Sequence, residues 1–174
     1  MKNKTIPTSI EQKLPDDAFI VSKSDLQGNV TYCNRTLMEV SGFSEPELLG
    51  KQHNILRHPD MPRAIFDLLW SEIKAGRECF AFVKNMCKNG DYYWVFANVT
   101  PDLDDNHKTM GYFSVRRTPG NAAIRTMSEL YSKMLAAEQK SATADAITAG
   151  REVLNNYLSE GNYDYETFVL SLQN

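Results

Sequence analysis

One dipeptide constrains this chain more than any other: Asn89-Gly90, inside Lys88-Asn89-Gly90-Asp91. Asn-Gly between two β-prone runs is the strongest short-range signal for a tight hairpin, because its turn needs positive φ at both central residues. The flanks qualify. Residues 79–86 and 92–101 are dense in aromatic and branched side chains, the types that favour strands. Residues 110–118 add a third strand beyond the acidic loop 102–106, completing an antiparallel meander. Near the start, Phe19-Ile20-Val21-Ser22-Lys23 and Val30-Thr31-Tyr32-Cys33 flank the turn signal Gln27-Gly28-Asn29, a second hairpin. Two strands, several helices and three more strands predict an α+β fold. Its five-stranded antiparallel sheet would carry short helices over one face.

The helices carry their own punctuation. Asn34 is a favoured N-cap for a helix that ends at Gly42. Ser44 through Glu47 reads as a capping box, with Pro46 in the first turn and Gly50 as the stop. A longer helix is expected over 60–75, capped by Asp60 and stopped by Gly76. Met61, Ile65, Leu68, Leu69 and Ile73 give it an apolar stripe; Trp70 lies beside the stripe, as core packing or as a ligand wall. After Pro119-Gly120 a helix over 122–139 carries Ile124, Met127, Leu130, Tyr131 and Met134 on one side. A hinge at 140–143 leads to a second helix through Val153, Leu154, Tyr157 and Leu158, and a last short helix is expected over 165–172. The long stripe is expected to pack partly on the core and partly against a second copy or another protein. Three regions follow: a polar arm over 1–16, flexible or a dimer contact; a main domain over 17–119; and a helical segment over 120–174.

Composition excludes several classes. Hydrophobic residues are 42% of the 174, enough for a real core. The net charge of −3 argues against a nucleic-acid surface, which needs a basic patch. No run of roughly 18 apolar residues is present to span a membrane, and no apolar segment follows Met1-Lys2-Asn3-Lys4 as a secretory leader would require. Three scattered cysteines point to a reducing, cytoplasmic setting rather than a disulfide framework. With no CxxC and no histidine cluster, no metal site is expected.

Binding chemistry concentrates in residues 53–62, His-Asn-Ile-Leu-Arg-His-Pro-Asp-Met-Pro. Two prolines stiffen the run, so its polar side chains are aimed. Arg57 and His58 are cationic donors and Asp60 an anionic acceptor. A ligand with phosphates and ribose hydroxyls needs both kinds. The same residues also suit a surface turn with an Arg57–Asp60 pair. In the meander, Asn85 and Asn98 end apolar rows. An amide offers donor and acceptor together, matching the paired edge of a flavin or similar heterocycle, though either could simply end its strand.

These stretches resemble the FAD-binding PAS domain of bacterial aerotaxis receptors. The resemblance rests on Ser24-Asp25-Leu26-Gln27, Ser41-Gly42-Phe43, Glu47-Leu48-Leu49-Gly50, His53-Asn54, Arg57-His58-Pro59-Asp60-Met61-Pro62, Val83-Lys84-Asn85, Lys88-Asn89-Gly90-Asp91, Tyr93-Trp94-Val95 and Ala97-Asn98. It spans roughly residues 17–135. It implies a PAS fold holding FAD non-covalently. Arg57, His58 and Asp60 are the implied FAD-binding residues, Asn34 and Asn85 sit at matching positions, and Trp70, Trp94 and Asn98 are implied to line the pocket. One departure is a family tryptophan replaced here by Cys79 or Phe80. The implied role is a redox and energy-taxis sensor rather than an enzyme; no GxGxxG fingerprint or partnered general base is present. Reduction of the flavin would protonate a ring nitrogen, invert one hydrogen bond and pass the change to the helix over 122–139.

Aerotaxis receptors continue into membrane helices, a HAMP unit and a coiled coil. Lacking these, the chain is more similar to the separate soluble PAS subunit of bipartite energy-taxis systems. The implied partner is a membrane-bound, HAMP-containing chemotaxis receptor, which would bring a cytoplasmic protein to the membrane; a homodimer is the second expected contact. The alternative is a PAS interaction or dimerisation module with haem or no functional ligand, for which His53, His58 and His107 are the available axial residues. The reactive-cysteine motif of light-sensing flavin domains is absent; the nearest segment is Ile55-Leu56-Arg57-His58.

Overall fold

The computed structural model describes residues 5–15 and 17–173. In it the hairpin at Asn89-Gly90 forms, but through a longer loop in which Gly90 takes positive φ (98°) and Asn89 does not, with Gly90 N–H on Cys87 O and Cys87 N–H on Asp91 O. The turn joins β3 (Cys79–Met86) to β4 (Tyr92–Leu103), and β5 (Thr109–Arg117) pairs with β4 on its other side. The first hairpin is β1 (Ile20–Asp25) and β2 (Val30–Cys33). Strand β1 pairs antiparallel with β5, so the sheet order is β2-β1-β5-β4-β3. The α+β fold with a five-stranded antiparallel sheet is therefore the one the residues predict. Residues 5–15 dock along the β3–β4 hairpin rather than hanging free: Thr8 N–H donates to Gly90 O at 2.8 Å and Gln12 N–H to Tyr92 O at 2.7 Å. The first four residues and residue 16 of the expected arm lie outside the described residues.

Between β2 and β3 lie α1 (Arg35–Ser41), α2 (Glu45–Leu48), a 3-10 turn (His53–Leu56) and α3 (Arg63–Lys74). Asn34 caps α1 and the Ser44–Glu47 capping box forms on α2. Helix α3 starts later than expected. Pro62 precedes it, and Asp60 is not its cap. The Asp60 carboxylate instead pairs with Lys84 at 2.7 Å. The first-turn amides of α3 are taken by a residue far down the chain. After β5 come α4 (Asn121–Lys140), α5 (Ala146–Glu160) and α6 (Tyr165–Gln173).

Both faces of the sheet are covered, by different elements. Cross-strand partners share a face. Phe82 stands opposite Phe96 and Lys84 opposite Trp94, so these residues share an outer face. Trp94 stacks on Tyr131 of α4 at 6.3 Å, and the Tyr131 hydroxyl donates to Phe82 O at 2.8 Å. Met127, Leu130, Tyr131 and Met134 are all buried in this way, within the protein's own core. The expectation that part of that stripe faces a partner finds no open stripe, because α5, α3 and α6 pack against α4 and the stripe, with Ile124 half-buried, closes on the protein's own core. On the inner face, α3 packs through Trp70, whose ring meets Tyr112 of β5 edge-on at 5.4 Å. No helix among the described residues is long and apolar enough to cross a membrane.

Candidate functional site

Strand β3 is a sheet edge, and residues 57–61 run along it. Arg57 forms an antiparallel bridge with Asn85, His58 N–H reaches Lys84 O at 3.4 Å, and Lys84 N–H meets Met61 Sδ at 3.2 Å. The proline-stiffened run thus covers backbone groups that an edge strand would leave open. It also sets its own polar groups. The His58 Nδ1 accepts from Asp60 N–H at 3.1 Å, so the proton sits on Nε2 and the ring is neutral. Burial, together with Lys84, holds its pKa below the ordinary histidine value. Its Nε2 is buried with no partner. Arg57 does not pair with Asp60. It donates to Met61 O at 2.8 Å and lies 4.4 Å over the Phe66 ring.

Behind this edge a cavity of about 470 Å³ opens between the inner sheet face and α3. Its apolar wall includes Phe66, Trp70, Ile73, Val83 and Val99. Trp70 lies close over Gly28, at φ 82°, where a Cβ would come within 3.0 Å of the indole ring.

One end of the cavity is polar. Tyr112, Ser114 and Arg116 alternate along β5 toward it, and Ser22 stands opposite Ser114 on β1. Arg116 is 7% exposed. Its Nη2 donates to Ser22 Oγ at 3.0 Å and to His53 Nε2 at 2.9 Å. An Nε2 that accepts from a guanidinium carries no proton, so His53 is neutral. Burial and the Arg116 charge hold its pKa down to about 3. Burial also lowers Arg116, to about 10, which still leaves it a cation at neutral pH. No carboxylate among the described residues pairs with it, and its Nη1 and the Ser114 Oγ are buried without partners. A buried cation with a free donor is costly unless something completes it.

The structure brings three of the expected site residues to this cavity: Arg57, Trp70 and Asn85. The Asn85 amide has no hydrogen bond to another described side chain and opens on the cavity. His58 and Asp60 sit on the edge turn beside it. Asn34 is occupied elsewhere: its Oδ1 accepts from Val21 N–H and Leu37 N–H, and its Nδ2 donates to Phe19 O. Trp94 and Asn98 lie on the outer face. Asn98 stands opposite Phe80 and donates to Glu78 at 2.8 Å, so the two asparagines do not converge. Asp60 and Trp94 border a second hollow, of about 450 Å³, against α4. Sequence reasoning did not single out Ser22, Ser114 or Arg116; it placed His53 in the binding run and among the possible iron ligands but gave it no role toward a flavin. The signal available was Ser114 and Arg116 alternating with the apolar Phe113 and Val115 along one strand.

An edge turn, an inward cavity and helices set between strands two and three of a five-stranded antiparallel sheet define the fold class. Residues 30–116 match the family described as the PAS fold, and the chain belongs to that family. It is 39% identical over 134 residues to the aerotaxis receptor of Escherichia coli K12, covering 77% of this chain and 26% of that protein. It is 25% identical over 110 residues to the nitrogen fixation regulatory protein of Klebsiella pneumoniae, covering 63% and 21%. The chain therefore spans about a quarter of these relatives. Among solved structures, it resembles a light-oxygen-voltage domain studied with a flavin analogue, at TM-score 0.56 and 16% identity over 64% of this chain and 83% of that one. It also resembles the light-state Aureochrome1 light-oxygen-voltage domain, at TM-score 0.54 and 19% identity over 66% and 88%.

Proposed function

We propose that this protein is a redox sensor for energy taxis that binds FAD non-covalently in the inner cavity. The observation that carries the reading is the polar end of that cavity, where the Arg116 Nη1 and Ser114 Oγ are buried donors without partners. They suit the electron-rich carbonyl edge of a flavin ring. Asn85 supplies donor and acceptor together for a second edge, and Trp70 forms the wall. A cavity of about 470 Å³ is the size of an ordinary ligand pocket and suits the ring and its ribityl chain. Arg57 at the mouth, with the His58–Lys84–Asp60 turn beside it, offers the charges a diphosphate and adenosine require, which favours FAD over FMN. The neighbour studied with a flavin analogue supports a flavin in this fold, and the relative named an aerotaxis receptor supports a role in taxis.

A flavin supplies a redox change that reverses the hydrogen-bonding character of a ring nitrogen. The protein's part is to make that reversal costly. In a dry pocket a mispaired polar group costs about 1–3 kcal/mol, and each 1.4 kcal/mol is tenfold in an equilibrium. Strand β5 holds Arg116 at the cavity and leads into α4, which supports reading residues 17–119 as the sensor and 120–174 as the output. The output would meet a membrane-bound chemotaxis receptor carrying a HAMP unit, or a second copy. The protein would act in the cytoplasm, at the membrane through that receptor, and would not be an enzyme. Chromatography of the chromophore released by heat tests the reading. FAD is expected; FMN, haem or no chromophore overturns it.

A further inference from the structure

Helix α3 forms one wall of the cavity, yet its first turn has no cap of its own, because Pro62 offers no side-chain acceptor. The acceptor comes from 75 residues away. Glu138, near the end of α4, takes hydrogen bonds from Arg63 N–H and Ala64 N–H, each at 2.9 Å. Its side chain is 7% exposed. Helix α5 is shaped to this contact. A Cβ on Gly150 would lie 2.6 Å from Glu138 Oε1 and 2.9 Å from Ala64 Cβ. At the next residue Arg151 grips Asp67 of α3 through Nε at 3.1 Å and Nη2 at 3.0 Å. Asp67 and Arg63 of α3 line the cavity, as does Ile147 of α5. Glu138 is also the countercharge that opposes burial in holding the Arg57 proton.

We infer that Glu138 is a positioning residue that closes a clamp: the α4–α5 hairpin grips the ligand-bearing wall, so pocket and output share one joint. The inference rests on the proposed ligand only for the identity of what fills the cavity. The route differs from a relay along β5, because it runs from the cavity through α3 to a carboxylate on α4. A buried carboxylate on two backbone amides is directional and charge-assisted. Released, it leaves a buried charge and two orphan amides, so the joint has a closed state and an open one with little between. Coupling of this kind is reciprocal: whatever loosens α5 must weaken the ligand, and ligand must tighten α5.

Hydrogen exchange on ligand-free protein tests the clamp, and FAD titration then tests the coupling. Glu138→Ala is expected to speed exchange about two- to thirtyfold, the range for a lost helix cap, both at the start of α3 and across Ala146–Glu160. Glu138→Gln, which keeps one acceptor oxygen and puts an NH2 in place of the other, should fall between; equality with the wild type would mean that one neutral acceptor closes the joint and would overturn the charge-assisted clamp. In the wild type, added FAD should slow exchange in α5, and in Glu138→Ala it should not. Unchanged α5 exchange in ligand-free Glu138→Ala overturns the clamp, as does equal FAD protection of α5 in both proteins. If the protein binds no FAD, the proposed function fails while the ligand-free comparison still decides the clamp. Should Glu138→Ala not fold, Gly150→Ala carries the same test, because its methyl must displace the carboxylate without removing it. The exposed Glu129→Gln on the same helix should leave every readout unchanged.

Discussion

On the outer face of the sheet, Phe82 packs on Phe96 and Trp94 stacks on Tyr131 of α4, whose hydroxyl is spent on Phe82 O. On the inner face, under equally apolar neighbours, Arg116 and Ser114 keep buried atoms with no partner, and His53 is held neutral beside a cation. One sheet thus carries two kinds of interior. The outer one is packed ring on ring at Phe82 and Phe96 and contributes stability there, its hollow lying beside Trp94 and Tyr131 instead. The inner one leaves space and polar groups that burial alone would not tolerate, which is the mark of a site maintained at a cost to stability.

The largest break in this comparison comes from emptying the filled side. Phe82 is fully buried, and Phe82→Ala should cost about 3–5 kcal/mol by urea unfolding. A loss under about 1 kcal/mol would mean that the outer face is not where stability resides.

Acid probes the inner side. The folded pKa of His53, about 3, lies below its unfolded value, so the unfolded chain binds the extra proton. The associated stability is fully present above about pH 6.5 and is lost as pH falls toward 3, with a slope of up to about 1.4 kcal/mol per pH unit. His58 is lowered for related reasons and steepens the same window. Urea unfolding from pH 7 to pH 4 should show a shallower slope in His53→Gln than in the wild type, and equal slopes would contradict a neutral buried ring.

Arg116→Met should change folding stability by less than about 1 kcal/mol or raise it, because replacing a buried charge by a matched apolar chain is often neutral or favourable. Ser22 and His53 still have each other at 3.0 Å. The same variant should lose flavin. Destabilisation by several kcal/mol would make Arg116 a structural residue rather than a ligand donor.

The smallest effect separates the two asparagines. Asn98→Ala on the outer face should shift stability by no more than about 0.5 kcal/mol and leave flavin bound, whereas Asn85→Ala should weaken flavin binding. Flavin fluorescence during titration reads both, and equal losses would mean that the cavity assignment is wrong.

Much of this architecture was legible because its signals are local. Asn89-Gly90 and the Gln27-Gly28-Asn29 turn set the hairpins, and Asn34 and Ser44–Glu47 cap their helices within a few residues. Arg57, Trp70 and Asn85 could be picked out and do line the cavity. Signals failed where the partner is distant. Asp60 looked like the cap of α3 because nothing nearby announces Glu138. Asn85 and Asn98 could be paired on paper because β4 is buried on both faces over most of its length, and a strand apolar on both sides carries no alternation to say which face looks inward.

The residues by themselves determined the turns, the helix starts with local caps, and hence the order of elements, since each depends on backbone preferences spanning a handful of positions. Tertiary structure alone decided which face of each strand holds the ligand groups, that Arg116 and His53 meet, and that Glu138 closes α3. Those facts depend on strand register and on contacts up to 94 residues apart, which local backbone preferences do not encode.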